Sequence, residues 1–154
     1  MRIGEICTRD VVFCPPETGI REAARLMREY HVGTLVIAEN RDGRRVPVGI
    51  VTDRDLVVEV LAIEAPFDTV TIGDLRTSEL VTAREQDDAF ETLEQMRRRG
   101  VRRMPVVDAQ GGLVGIVSLD DLLEIVAEEL QSMVKLISRQ RLRESAQRPP
   151  LPPH

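Results

Sequence analysis

The chain has 154 residues, 42% of them hydrophobic and 31% charged, with a formal net charge of −5, the balance of a soluble globular protein rather than a disordered or fibrous one. Its length fits one domain, or two small ones sharing an interface, and leaves little room for a catalytic domain beside a regulatory one. With 3% aromatics, one Tyr and no Trp, a stacking platform for single-stranded nucleic acid is disfavoured, and no run approaches the roughly 18 apolar residues of a membrane-spanning helix.

The N-terminal Met1-Arg2-Ile3-Gly4-Glu5-Ile6 lacks the apolar stretch of a secretory signal, so the expected location is cytoplasmic, without membrane association. There Cys7 and Cys14 are read as reduced thiols, and with only His31 and His154 besides, no zinc-site spacing occurs. Ile3-Gly4-Glu5-Ile6-Cys7-Thr8 returns as Ile72-Gly73-Asp74-Leu75-Arg76-Thr77, an offset of 69 that carries Val11-Val12 onto Leu80-Val81, Met27 onto Met96 and Val32 onto Val101. About three extra residues near Arg44-Arg45-Val46 reduce the offset to 66, which pairs Val48-Gly49-Ile50-Val51-Thr52 with Val114-Gly115-Ile116-Val117-Ser118.

Each copy reads alike. An extended Val11-Val12-Phe13 run stops at Pro15-Pro16. A helix from about Thr18 follows, with Ile20, Ala23, Ala24, Met27 and Tyr30 on one face. In the second copy Asp87 or Asp88 caps the helix and Gly100 suits its C-terminus. Two β-branched runs around an Asp42-Gly43 turn form a hairpin, matched by Met104–Val107, Gly111-Gly112 and Leu113–Val117. A helix then opens at Thr52 or Ser118. The predicted fold is α+β: two βαββα repeats related by a pseudo-two-fold, small mixed sheets packed together with helices outside. One unit is too small to close its own core. The organisation read from this is repeat 1 over 1–62, a linker over 63–71, repeat 2 over 72–128, a C-terminal helix extension over 129–144 and a disordered Pro-rich tail over 145–154.

The paired strings Gly49-Ile50-Val51-Thr52-Asp53-Arg54-Asp55-Leu56 and Gly115-Ile116-Val117-Ser118-Leu119-Asp120-Asp121-Leu122, each after a hairpin, resemble the signature of cystathionine-β-synthase (CBS) domains. Met104-Pro105-Val106-Val107-Asp108, Val32-Gly33-Thr34-Leu35-Val36 and Thr8-Arg9-Asp10-Val11-Val12 resemble that family's first hairpin strand and lead-in segment. The resemblance covers about residues 3–124. It implies a tandem CBS pair, or Bateman module, binding adenosine-type ligands such as AMP, ADP, ATP, NAD or S-adenosylmethionine in clefts between the repeats. It further implies a homodimer, with no required cofactor beyond an adenine nucleotide as regulatory ligand.

Thr52-x-x-Asp55 and Ser118-x-x-Asp121 also match a capping box, which needs no ligand. At a helix N-terminus, however, free amides and the dipole attract phosphate. The resemblance assigns Thr52 and Ser118 to phosphate and Asp55 and Asp121 to ribose. It sets adenine on Val11, Val12, Val32, Leu80, Val81, Val101, Met104 and Pro105, with Thr8, Thr34 and Thr77 nearby; taken singly, the apolar ones also suit an ordinary core. Within the arginine cluster 97–103, Arg103 at a strand start beside the cleft is the candidate phosphate partner, where repeat 1 has Thr34. The three arginines 97–99 are accounted for by a helix C-terminus.

The last helix carries an apolar stripe from Asp120 toward about Arg143, read as an interface for a second copy or for an unidentified effector protein. Beyond it four arginines stand against one acid from Ser138 to His154, a solvated end; the acidic body argues against nucleic acid. Three classes follow in order: a ligand-sensing regulatory module, a ligand-independent dimerisation or interaction module, and, far behind, an enzyme, since no nucleophile triad, Walker loop or metal site is legible.

Overall fold

The computed structural model describes residues 1–75, 79–148 and 151–153. It divides into two compact units, Met1–Leu119 and Asp120–His154.

In the first unit the chain forms α1 (Ile3–Ile6), β1 (Phe13–Cys14), α2 (Ile20–Tyr30), β2 (Thr34–Arg41), β3 (Arg44–Thr52) and α3 (Asp53–Leu56), the last running into a π-helical turn, Val57–Leu61. A 3-10 turn at Ile72–Leu75 begins the second copy: β4 (Ala83–Arg84), α4 (Ala89–Arg99), β5 (Arg103–Val107) and β6 (Leu113–Ser118). Each sheet has the same order, β1-β2-β3 and β4-β5-β6, with a parallel first pair and an antiparallel hairpin. A bulge falls between Ile37 and Ala38 in one hairpin and between Val106 and Val107 in the other, the same step of the repeat. The predicted α+β duplication is the observed fold.

Local chemistry explains the boundaries. Asp42 (φ 52°) and Gly43 (φ 80°) both take positive φ, as a two-residue type I′ hairpin requires. Asp88 caps α4 by accepting from the amides of Phe90 and Glu91, whereas Gly19, its counterpart before α2, offers no side chain. The helix predicted from about Thr18 starts at Ile20, since Gly19 is extended (φ −72°, ψ 162°) and the Thr18 amide donates to the Pro15 carbonyl in a preceding turn. Both helices end in the left-handed conformation, at His31 (φ 53°) and Gly100 (φ 67°). The extended run read at Val11–Phe13 enters the ladder only at Phe13–Cys14, with the Val12 carbonyl accepting from Val36.

The core of the first repeat gathers Ile20, Ala23 and Met27 of α2 against Leu35, Ile37 and Val51 of the sheet, and Leu56 and Val60 of the closing helix. Burying a side chain of this size contributes about 1.5–3 kcal/mol. Ile72, the first residue of the second copy's 3-10 turn, belongs to the same cluster and is fully buried. This is an exchange of lead-in segments. Ile72 and Gly73 donate to the carbonyls of Thr18 and Pro16 in the first repeat, while Ile3 and Gly4 donate to those of Asp87 and Glu85 in the second. A Cβ on Gly73 would stand 2.8 Å from the Pro16 carbonyl oxygen, closer than side chains approach, whereas one on Gly4 would stand 3.1 Å from that of Glu85, so the neighbour would have to give a few tenths of an ångström.

The second unit is helical. Helix α5 (Leu119–Gln147) begins one residue before it, at the end of the first unit, and runs 29 residues. It extends past the expected limit near Arg143 and into the stretch read as a disordered tail, because Glu144, Ala146 and Gln147 all favour helix. It ends two residues before Pro149, as a residue preceding proline is biased out of the helical region. Among the described residues no helix is long and apolar enough to cross a membrane.

Candidate ligand-binding cleft

The end of β3 and the start of α3 form one wall of a cleft of about 290 Å³, lined by Gly49, Ile50, Thr52 and Asp55. The opposite wall comes from the second copy: Leu75, Glu79, Leu80 and Val81 after its lead-in turn, and Val101, Arg102 and Arg103 between α4 and β5. The exchange of lead-in segments thus accompanies a cleft built from both repeats.

At its polar end Thr52 and Asp55 complete a capping box. The Asp55 amide donates to Thr52 Oγ1 at 3.2 Å, and the Thr52 amide donates to Asp55 Oδ2 at 2.9 Å. The Asp53 amide donates to the Gly33 carbonyl and the Arg54 amide to Asp53 Oδ1. The amides of this turn are therefore engaged within the protein, which corrects the expectation of free amides awaiting phosphate. The turn still offers the Thr52 hydroxyl proton and the second oxygen of the Asp55 carboxylate, and the facing wall offers the Arg103 guanidinium. An anion would meet a hydroxyl and guanidinium groups rather than a helix end.

Strand alternation decides which hairpin residues reach the cleft. Arg103 lines it, while Met104, expected on the adenine wall, is fully buried in the core and Pro105 is buried beside it. Thr34 stands across the β2–β3 ladder from Thr52, as Arg103 stands across β5–β6 from Ser118. The residues Val11, Val12 and Val32 line a different cavity of about 600 Å³ with Asp10, Phe13, Leu26 and Tyr30. Thr8 exchanges both backbone hydrogen bonds with Ile116, and a Cβ on Gly115 would meet Cys7 Sγ at 2.7 Å. Ser118 closes β6 in the first unit, and Asp121 lies in the first turn of α5 in the second. Thr77 lies outside the described residues.

Five lining residues were not singled out as site residues from the sequence: Gly49, Ile50, Leu75, Glu79 and Arg102. Four of them sit in quoted strings or in the arginine cluster, so the signal was their adjacency to the motifs; Glu79 carried none. The backbone amide of Glu91, then that of Phe90 and the nearby N-terminal ammonium, holds the Asp88 carboxyl below its usual range, and burial pushes the Cys14 thiol up. Among the described residues Cys7 and Cys14 are not joined by a disulfide.

The CBS domain family model matches twice, over residues 3–62 and 72–128. This chain belongs to the CBS domain family. An uncharacterized protein of Methanopyrus kandleri is 36% identical over 123 residues, 80% of this chain and 61% of that relative, so the chain spans less than two thirds of that protein's length. A CBS domain protein of Pyrobaculum aerophilum solved in complex with AMP superposes with a TM-score of 0.70 at 29% identity, over 82% of this chain and 99% of that one. The CBS domain of a bacterial CNNM/CorC family Mg2+ transporter, solved in complex with ATP, gives a TM-score of 0.70 at 26% identity, covering 80% and 85% of the two chains.

Proposed function

We propose that this protein is a regulatory module that binds an adenine nucleotide in the cleft between its repeats and signals its occupancy, as a cytoplasmic homodimer, to a separate partner protein. The observation that carries this is one cleft in which a carboxylate and hydroxyl pair, Thr52 and Asp55, faces an apolar wall and arginines from the other repeat. Leu80, Val81 and Val101 form a surface for the flat apolar faces of adenine. The Asp55 carboxylate accepts from the ribose hydroxyls, and Thr52 with Arg103 donates to phosphate. AMP and ATP complexes of CBS relatives support the ligand class. Ser118 and Asp121 keep the same residue types at the corresponding points of the second copy. A ligand that binds one arrangement of the repeats more tightly than another shifts the population between them, which is the signal.

Isothermal titration with AMP, ADP, ATP, NAD and S-adenosylmethionine tests this reading. Binding of at least one ligand, weakened about tenfold or more by Asp55→Ala, supports it. Absence of heat with all five overturns it in favour of a ligand-independent dimerisation module, the reading that the exposed apolar residues of α5 favour.

A further inference from the structure

At 1.5 Å per residue, α5 is about 43 Å long. Along it Leu123, Val126, Leu130, Met133 and Ile137 recur at alternating steps of three and four, the a and d positions of a coiled-coil seam. Leu123 (51%), Leu130 (58%), Met133 (58%) and Ile137 (51%) are exposed, and Val134 and Leu136 widen the strip. A continuous apolar strip of this length is surface that soluble proteins ordinarily cover.

The charges identify what covers it. Residues 120–131 carry five acids and no base, while residues 132–148 carry Lys135, Arg139, Arg141, Arg143 and Arg148 against Glu144 alone. The helix's own dipole accounts for charges in its first and last turns only, and here the acids persist to Glu129 and the bases begin at Lys135. Two copies side by side in parallel would set acid against acid and base against base. Antiparallel, the acidic half of each lies along the basic half of the other. The seam agrees with that direction. Centred between Gln131 and Ser132, antiparallel pairing brings Leu130 to Met133, Val126 to Ile137 and Leu123 to Gln140, and sets the flanking Asp120 near Arg141.

The geometry points to a second copy of this chain as the occupant, its α5 lying antiparallel along the same stripe. The inference rests on the homodimer reading above and narrows it to one surface and one direction. Sedimentation equilibrium of the full chain tests it, with the Leu130→Asp, Ile137→Asp double variant beside the wild type. The expected result is a dimer whose dissociation constant rises by about 100-fold or more in the double variant, because unpaired carboxylates would enter the seam. Its circular dichroism and nucleotide binding stay unchanged, since both positions are exposed. Direction is read by oxidising a mixture of the Leu123→Cys and Gln140→Cys chains and mapping cross-linked peptides by mass spectrometry. A 123–140 link is expected. A dominant 123–123 link means parallel pairing and overturns the inference. A dimer indifferent to the double variant overturns it while leaving the homodimer reading intact, and a monomeric wild type overturns both. If α5 instead takes up anionic vesicles or another protein without self-association, the inference also fails.

Discussion

The two repeats share strand order, register and even the position of a hairpin bulge, yet they furnish different walls. Between helix and hairpin the second repeat presents Arg102-Arg103, and these line the cleft that holds Thr52 and Asp55. The corresponding pair in the first repeat is Gly33-Thr34, with Val32 beside it facing a separate and mainly apolar cavity. Their helices also differ at both ends: α4 has a carboxylate cap and a glycine C-cap, α2 a glycine N-cap and a histidine C-cap. Because the lead-in segments exchange, each copy completes structure begun in the other. Gly49, Ile50, Thr52 and Asp55 of the first repeat share one cleft with Leu75, Leu80, Val101 and Arg103 of the second, so a substitution in either repeat changes it.

The largest effect expected from breaking this comparison is at Asp55. Asp55→Ala removes both a charged acceptor in the cleft and half of a capping box, so nucleotide affinity should fall about 10- to 100-fold, and the melting temperature should also drop. Asp121→Ala should leave titration of the Thr52 cleft within about twofold, because Asp121 is not among the residues that line it. Equal losses in both variants would show that the two positions serve one site.

Next come the glycines at the exchange. Gly115→Ala should cost about 1–3 kcal/mol in chemical denaturation, since its Cβ meets Cys7 Sγ at 2.7 Å and the Thr8 carbonyl at 3.0 Å. Gly19→Ala, with nothing within 4 Å of its Cβ, lacks that clash and should cost less, about 1 kcal/mol or under, through the poorer N-cap that alanine makes.

Charge at the hairpin approach sharpens the contrast between the walls. Arg103→Ala should reduce ATP affinity about tenfold and AMP affinity less, with a weaker salt dependence, because a guanidinium gains most from the more highly charged phosphate chain. Isothermal titration at two ionic strengths checks this, and equal losses for both nucleotides would remove Arg103 from phosphate contact.

Asp88 makes α4 acid-sensitive where Gly19 leaves α2 indifferent. Its carboxyl is held below the unfolded value, so the stabilisation is complete above that value and is lost as pH falls through the folded one. Thermal melts of wild type and Asp88→Ala should differ near neutrality and converge as the pH drops below about 4.

The smallest effect is at the C-caps. His31 holds the left-handed conformation that Gly100 adopts without a side chain, so His31→Gly should raise stability by roughly 0.5–1 kcal/mol, measured by denaturant titration.

Much of this protein is legible along the chain. The 69- and 66-residue offsets encode the duplicated βαββα unit, the Asp42-Gly43 turn encodes its hairpin and the Thr52-x-x-Asp55 spacing encodes its cap, since each depends on neighbours a few residues away. Thr52 and Asp55 were singled out by the resemblance of their string to the CBS signature, and Arg103 by its place at a strand start. What the sequence did not show is which of them share a wall. That Ile72 fills the first repeat's core, that Met104 turns inward while Arg103 turns to the cleft, and that the amides of α3 are already engaged were decided only by tertiary structure. Burial and hydrogen bonding join residues that are far apart in the chain, and two nearly equal copies offer near-equivalent partners whose choice is made only when the whole core closes.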